Sequence, residues 1–205
     1  MTAMAAEPAP APPLNLRERK KLRTRAEIRK VTYRLAAEQG WDAVTIERIA
    51  TAAEVSPSTV VRYFPVREDI VLTDEKDAVL AARLLARPAA EPPLESLRAV
   101  LLDAVRTALT EEPAETRLRA RLMVEIPAVR ARLTETTAET AQMLARALAE
   151  RTGRDADDLE VRVFTAAVLG ALREATVFWA ERGQADDLVP LLDRTVDTLR
   201  DGLSL

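Results

Sequence analysis

The residues best placed to do chemistry lie in "TIERIATAAEVSPSTVVRYFPVRED", positions 45–69, where Ser56, Ser58, Thr59, Arg62 and Tyr63 crowd a short segment. Hydroxyls, a phenol and a guanidinium at this density are hydrogen-bond donors suited to phosphate oxygens and base edges. Bond-making chemistry has little support elsewhere. The 205 residues include no cysteine and no histidine, which removes disulfides, thiolate nucleophiles, imidazole bases and the usual zinc ligands. No Gly-rich phosphate loop, metal-ligand spacing or nucleophile elbow is present. The densest carboxylate run, "DADD" at 155–158, stands at the start of a helical pattern, where acids complement the helix dipole. The expectation is a binding protein, not an enzyme, with no metal and no cofactor.

Two short helices position those donors. Thr45 suits an N-cap, and Ile46, Ile49, Ala50 and Ala53 behind it share one face. Ser56 caps the next helix and Pro57 takes its first turn, where a missing N–H costs nothing. Val60 and Phe64, four apart, anchor that helix and leave Ser58, Thr59, Arg62 and Tyr63 on the opposite side. The unit is a helix-turn-helix, whose second helix fits the major groove of B-DNA. A preceding helix is expected from about Arg19 to Gln39, with Ile28, Val31, Leu35 and Ala36 inward. Gly40 is read as its left-handed C′ residue, with Trp41 folding back on the last turn.

Charge supports an anionic partner. Residues 14–67 carry twelve Lys/Arg against six acids, a balance of +6, while the whole chain is −3, so the remainder carries −9. The arm "RERKKLRTR", with Arg17, Lys20 and Arg23, is expected to precede the first helix and neutralise phosphates, the contacts that dominate affinity. Thr45 at one helix start and Arg67 at another are further phosphate candidates. A helical hairpin that merely packs explains the spacing, but not the polar face beside so basic a segment.

The stretch "RAEIRKVTYRLAAEQGWDAVTIERIATAAEVSPSTVVRYFPVRED" resembles the N-terminal domain of the TetR family of bacterial regulators. The resemblance implies a homodimer that sets two recognition helices on a palindromic double-stranded DNA operator, with a divergent helical body for a small-molecule effector. By position, Thr45 matches the family's phosphate-binding threonine, and Ser56, Ser58, Thr59, Arg62 and Tyr63 match its recognition helix. Arg67 stands where the family usually has lysine. Three departures are Glu54, where Gly is usual, Ser58 for a frequent Gly, and Val61 for a frequent aromatic. If position 54 is left-handed, its side chain costs about 1 kcal/mol.

The remaining sequence is helical as well, giving an all-α chain of about nine helices with no internal repeat. After a fourth helix opened by "VREDIVLTDEKDAVLAARLLAR", proline-rich breaks delimit helices near 94–110, 114–126 and 128–151, followed by 156–182 and 187–202. The organisation reads as an Ala/Pro-rich disordered leader (1–16), a helix-turn-helix domain (17–66) and a ligand-binding and dimerisation domain (67–205). No run of about eighteen consecutive apolar residues and no N-terminal apolar h-region occurs, so a cytoplasmic protein without a membrane partner is expected. The first helix also lacks the bulky apolar face of a membrane-surface helix.

In 156–182 the apolar stripe is too wide for one packing face, which suits a body on one side and, with 187–202, a four-helix dimer interface on the other. A monomer core would use the same stripe. Met123, Ile126, Met143, Phe164, Phe178 and Trp179, with Arg130 and Arg173 as polar partners, are candidates for an effector pocket. Each also suits plain core or solvated charge. The segment from "TTAETAQMLARALAERTG" to "DLVPLLDRTVDTL" resembles the mycofactocin-regulator-like subgroup, which implies an acyl-CoA-like effector. A repressor is the first reading; an activator, or an effector of drug or antibiotic type, is the alternative.

Overall fold

Helix starts follow the prolines and hydroxyls of the sequence. The computed structural model describes residues 15–73 and 77–203; most of the expected leader lies outside that range. Among the described residues ten helices run in chain order: α1 (Leu16–Gln39), α2 (Ile46–Ala52), α3 (Pro57–Tyr63), α4 (Asp69–Leu72), α5 (Asp77–Leu85), α6 (Pro93–Glu111), α7 (Pro113–Glu125), α8 (Pro127–Thr152), α9 (Leu159–Glu181) and α10 (Leu188–Arg200). A single 3-10 turn covers Trp41–Ala43, and no strand occurs among the described residues. Proline opens α3, α6, α7 and α8, the one place in a helix where its missing N–H is harmless. Thr45 Oγ1 accepts from the Arg48 N–H at 3.3 Å and Ser56 Oγ from the Thr59 N–H at 3.2 Å, so both expected caps form.

Three local expectations need correction. The basic arm does not precede the first helix; α1 starts at Leu16, so Arg17, Lys20 and Arg23 are helical. Gly40 has φ 80° and ψ 164°, outside the left-handed helical well and in a region open essentially to glycine alone. The fourth helix is two, because Thr73 is extended (φ −87°, ψ 139°), and the count rises from nine to ten. The middle of that expected helix, 74–76, lies outside the described residues.

One apolar core runs without interruption from the helix-turn-helix into the body. Ile28, Val44, Ile49, Val60, Phe64 and Ile70 pack in the same cluster as Leu118, Leu122, Met123, Val129 and Val177. A second cluster joins α5, α6, α8 and α9 around Leu84, Leu97, Leu144 and Val168, and a third sets Trp179 against Leu188, Leu192 and Val196 of α10. α9 packs on α7, α8 and α10. Its Val161, Thr165, Val168, Val177 and Trp179 are buried, while Leu159, Val163 and Phe178 on its outer side are 70%, 56% and 41% exposed. By length and composition alone, α9 is the one described helix that reaches the level needed to cross a membrane.

Glu54 in the turn between α2 and α3 has φ 53°, so the left-handed position is real and is occupied by a side chain. Glu54→Gly is expected to raise unfolding stability by up to about 1 kcal/mol, the relief of the left-handed strain less the backbone entropy glycine loses. Chemical denaturation of the two chains checks this; a lower midpoint for the glycine form would contradict it.

Candidate nucleic-acid interface and effector cavity

The donors on α3 face the basic start of α1 across a shared concavity. Arg17, Lys20, Lys21 and Thr24 form one wall, and Val55, Thr59, Arg62 and Tyr63 the other, enclosing about 550 Å³. Ser56 Oγ lies 2.9 Å from both Ser58 Oγ and Thr59 Oγ1, so three hydroxyls form one donor cluster at the start of α3. The Arg62 guanidinium sits 5.2 Å from the centroid of the Tyr63 ring, exposed and with no salt bridge among the described residues. Arg23 is exposed on α1, and Thr45 is exposed at the start of α2 with its hydroxyl proton free to donate outward.

Arg67 has other work. Its Nη1 donates to the Val44 carbonyl at 2.6 Å, its Nη2 pairs with Glu68 at 3.3 Å, and its guanidinium lies 4.5 Å from the Trp41 ring centroid. Arg67 therefore ties the α3–α4 junction to the turn after α1. Arg25, which spacing alone did not single out, stacks 4.2 Å over Phe64 and donates from Nη1 to the Tyr63 carbonyl at 2.8 Å, capping the C-terminal end of α3.

The body holds a cavity of about 310 Å³ reached by α1 and by α4 to α10. Of the expected pocket residues, Met123, Arg173 and Trp179 line it. The others do not. Met143 and Phe164 pack in the second core, Ile126 packs against the first, Arg130 pairs on the surface with Glu181 at 3.6 Å, and Phe178 points outward under Arg182. Residues not anticipated supply most of the polar wall: Arg29 and Tyr33 of α1, and Glu112, Glu115, Thr116 and Arg119 around the start of α7. A signal existed for the latter. Positions 112, 115, 116, 119, 120 and 123 fall at helical spacing on one face, and polar side chains occupy four of the six places in a stripe that leads to buried Met123. The Nε atoms of Arg119 and Arg173 are buried without a hydrogen-bond partner.

Three wall residues also hold α4. A helix leaves its last carbonyls unsatisfied, and here Tyr33 Oη donates to the Val71 carbonyl at 3.0 Å, Arg119 Nη2 to that of Leu72 at 2.7 Å and Arg29 Nη2 to that of Thr73 at 2.8 Å. These donors reward carbonyls that point out of the helix, which accounts for the break at Thr73. The other end of α4 is fixed by Arg132 Nε of α8, which donates to buried Asp69 at 2.6 Å.

Burial, with Glu112 alongside, pushes the Glu115 carboxyl above its ordinary range, against the partial opposition of Arg29 and Lys30. A carboxyl whose folded pKa is raised favours folding fully below its unfolded value, about 4.3, and loses that contribution as pH rises through the folded value. Glu115→Gln is therefore expected to be more stable than the parent at pH 7, with the difference vanishing below about pH 4. Thermal melts across that range check it; equal midpoints at pH 7 would contradict it.

Residues 28–73 match the family model described as "Bacterial regulatory proteins, tetR family", and residues 91–204 match that of the MftR C-terminal domain. The HTH-type transcriptional regulator TcmR of Streptomyces glaucescens is 34% identical over 197 residues, spanning 90% of this chain and 86% of that protein. The fold is similar to that of Thermus thermophilus FadR, a TetR family transcriptional repressor solved in complex with lauroyl-CoA, at TM-score 0.56 and 21% identity over 88% of this chain and 95% of the other. NalD of Pseudomonas aeruginosa, the secondary repressor of the MexAB-OprM multidrug efflux pump, gives TM-score 0.56 and 21% identity over 88% and 96%.

Proposed function

The chain belongs to the TetR family of bacterial regulatory proteins, and from that premise we propose that it is a cytoplasmic repressor that binds a palindromic operator as a homodimer and is released by a small, largely apolar effector such as an acyl-CoA. The observation that carries the DNA reading is the concavity in which Arg17, Lys20 and Lys21 flank Thr59, Arg62 and Tyr63. Cations on one wall fit phosphates while the short donors and Arg62 on the other reach base edges. Ser56 and Ser58 share the hydroxyl cluster of Thr59, and exposed Thr45 and Arg23 are assigned to phosphates in the same reading. Arg67 supports it by holding the junction behind α3.

The dimer reading rests on the outer side of α9, where Leu159, Val163 and Phe178 form an uncovered apolar stripe. Pairing α9 and α10 with those of a second copy would cover it in a four-helix arrangement. A dimer presents two recognition helices, which must sit about 34 to 36 Å apart to enter successive major grooves. The effector reading rests on the cavity, whose wall includes the side chains that hold α4. An occupant that draws Arg119 or Tyr33 away frees the α4 carbonyls, lets α4 move and changes that separation. T. thermophilus FadR, with its bound lauroyl-CoA, is a precedent in the same fold. A compact drug-like effector is the second reading, favoured by the polar wall of Glu112, Glu115, Thr116 and Arg119, which an alkyl chain cannot pair.

Retardation of duplex fragments selected by the purified chain tests the DNA reading. Two chains per retarded duplex are expected, and log affinity should fall with log salt by about 0.9 per neutralised phosphate, several per dimer. A slope near zero would sink it.

A further inference from the structure

A second concavity of about 610 Å³ lies on the outside of α1 and α7 and adjoins the effector cavity, with Tyr33 and Glu115 in the wall common to both. Four cations surround it, Lys30 and Arg34 from α1 and Arg117 and Arg121 from α7, against two carboxylates, Glu115 and Glu125. Arg117 and Arg121 stand in the part of the chain outside 14–67, which sums to −9, while Lys30 and Arg34 belong to the basic segment. Glu125 partly neutralises Arg121 at 3.7 Å, while Arg34 is exposed and has no carboxylate partner among the described residues. Arg117 lies 5.6 Å from the centroid of the Trp179 ring, and that ring is itself part of the inner wall. The two spaces therefore differ in character: leucines and Trp179 line the inner one, Tyr33 and Glu115 stand in the shared wall, and a group of guanidinium and ammonium donors surrounds the outer one.

We infer that this outer groove is the seat of a phosphate-bearing headgroup on an effector whose apolar tail occupies the inner cavity. Guanidinium groups bind phosphate by paired, charge-assisted hydrogen bonds, and several phosphates on one flexible head would engage Lys30, Arg34, Arg117 and Arg121 together. Exposed cations of this kind add little to fold stability, so they are available to a ligand. The inference rests on the acyl-CoA reading of the cavity.

The test compares palmitoyl-CoA, palmitoyl phosphatidic acid, palmitate and free CoA on the intact chain, followed by Trp179 fluorescence in a Trp41→Phe background. Palmitoyl-CoA is expected to bind roughly tenfold or more tightly than palmitate. Arg34→Ala with Arg121→Ala should erase that margin while leaving palmitate affinity and operator affinity as they were. Arg34→Glu alone should reduce it. A comparable margin for the phosphatidic acid also supports the groove and identifies the phosphate, not the nucleotide, as the recognised group. If palmitate binds and palmitoyl-CoA binds no better, or if the double variant keeps the margin, the headgroup site is wrong although the cavity reading stands. If none of the tailed ligands binds, the cavity reading and the inference fall together.

Discussion

Arg62→Ala is expected to lose discrimination at one base pair per half-site, costing about 1 to 3 kcal/mol there while leaving other positions of the operator as sharply read as before. Arg62 is the only long cation on α3, and its place over the Tyr63 ring aims the guanidinium along the exposed face and not back into the fold. A guanidinium can bind guanine O6 and N7 together, which no hydroxyl on this helix can copy. The contrast is Arg67→Ala. Its guanidinium spans the Val44 carbonyl, Glu68 and the Trp41 ring, so its removal should weaken every duplex alike and lower the thermal midpoint, whereas Arg62→Ala should leave the midpoint unchanged. Both variants measured on a panel of single-base operator variants, with melts alongside, separate the two roles. Identical base profiles would refute the assignment of Arg62 as the base reader.

Arg119→Ala is expected to uncouple effector from operator. The side chain is shared: Nη2 holds the Leu72 carbonyl at 2.7 Å, and the residue also lines the cavity. In the proposed mechanism an occupant and the α4 carbonyl compete for it, and coupling between two ligands of this kind is typically 1 to 3 kcal/mol, about 5- to 150-fold in affinity. Without Arg119 the Leu72 carbonyl loses its donor whether or not the cavity is filled. Operator affinity should then be lower from the outset, and a saturating palmitoyl-CoA should change it by less than about twofold. Linkage makes the reciprocal measurement equally decisive, because operator must weaken effector binding by the same factor that effector weakens operator binding. Arg106→Ala, on the exposed side of α6 and paired with Asp103 at 3.8 Å, serves as control. If the Arg119 variant binds effector and keeps the parental factor, the relay does not run through this residue.

Much was legible in the sequence because it is decided over a few residues. Caps at Thr45 and Ser56, proline at the first turn of α3, α6, α7 and α8, and the inward positions Ile28, Val31, Ile49, Val60 and Phe64 all depend on contacts within one or two turns, and all appear as spacing allows. The left-handed Glu54 belongs to the same class, and so does the two-sided α9, one side buried and the other bare. The all-α architecture and the polar face of α3 follow from these local choices.

Tertiary structure decided the rest. Thr73 lies within a sequence that reads as continuous helix, yet the chain breaks there because donors 38, 47 and 44 residues from their acceptors reach the carbonyls of Val71, Leu72 and Thr73. Met143, Phe164 and Phe178 have the chemistry of pocket residues and are not in the pocket, since which side of a wide stripe faces a cavity depends on the rotation of that helix against its neighbours. Arg29, Tyr33 and Arg119 read as surface charges or core, and gain their meaning only where α1, α4 and α7 meet. Periodicity reports that a face is apolar. It carries no information about which distant face it will meet, and a cavity is made entirely of such meetings.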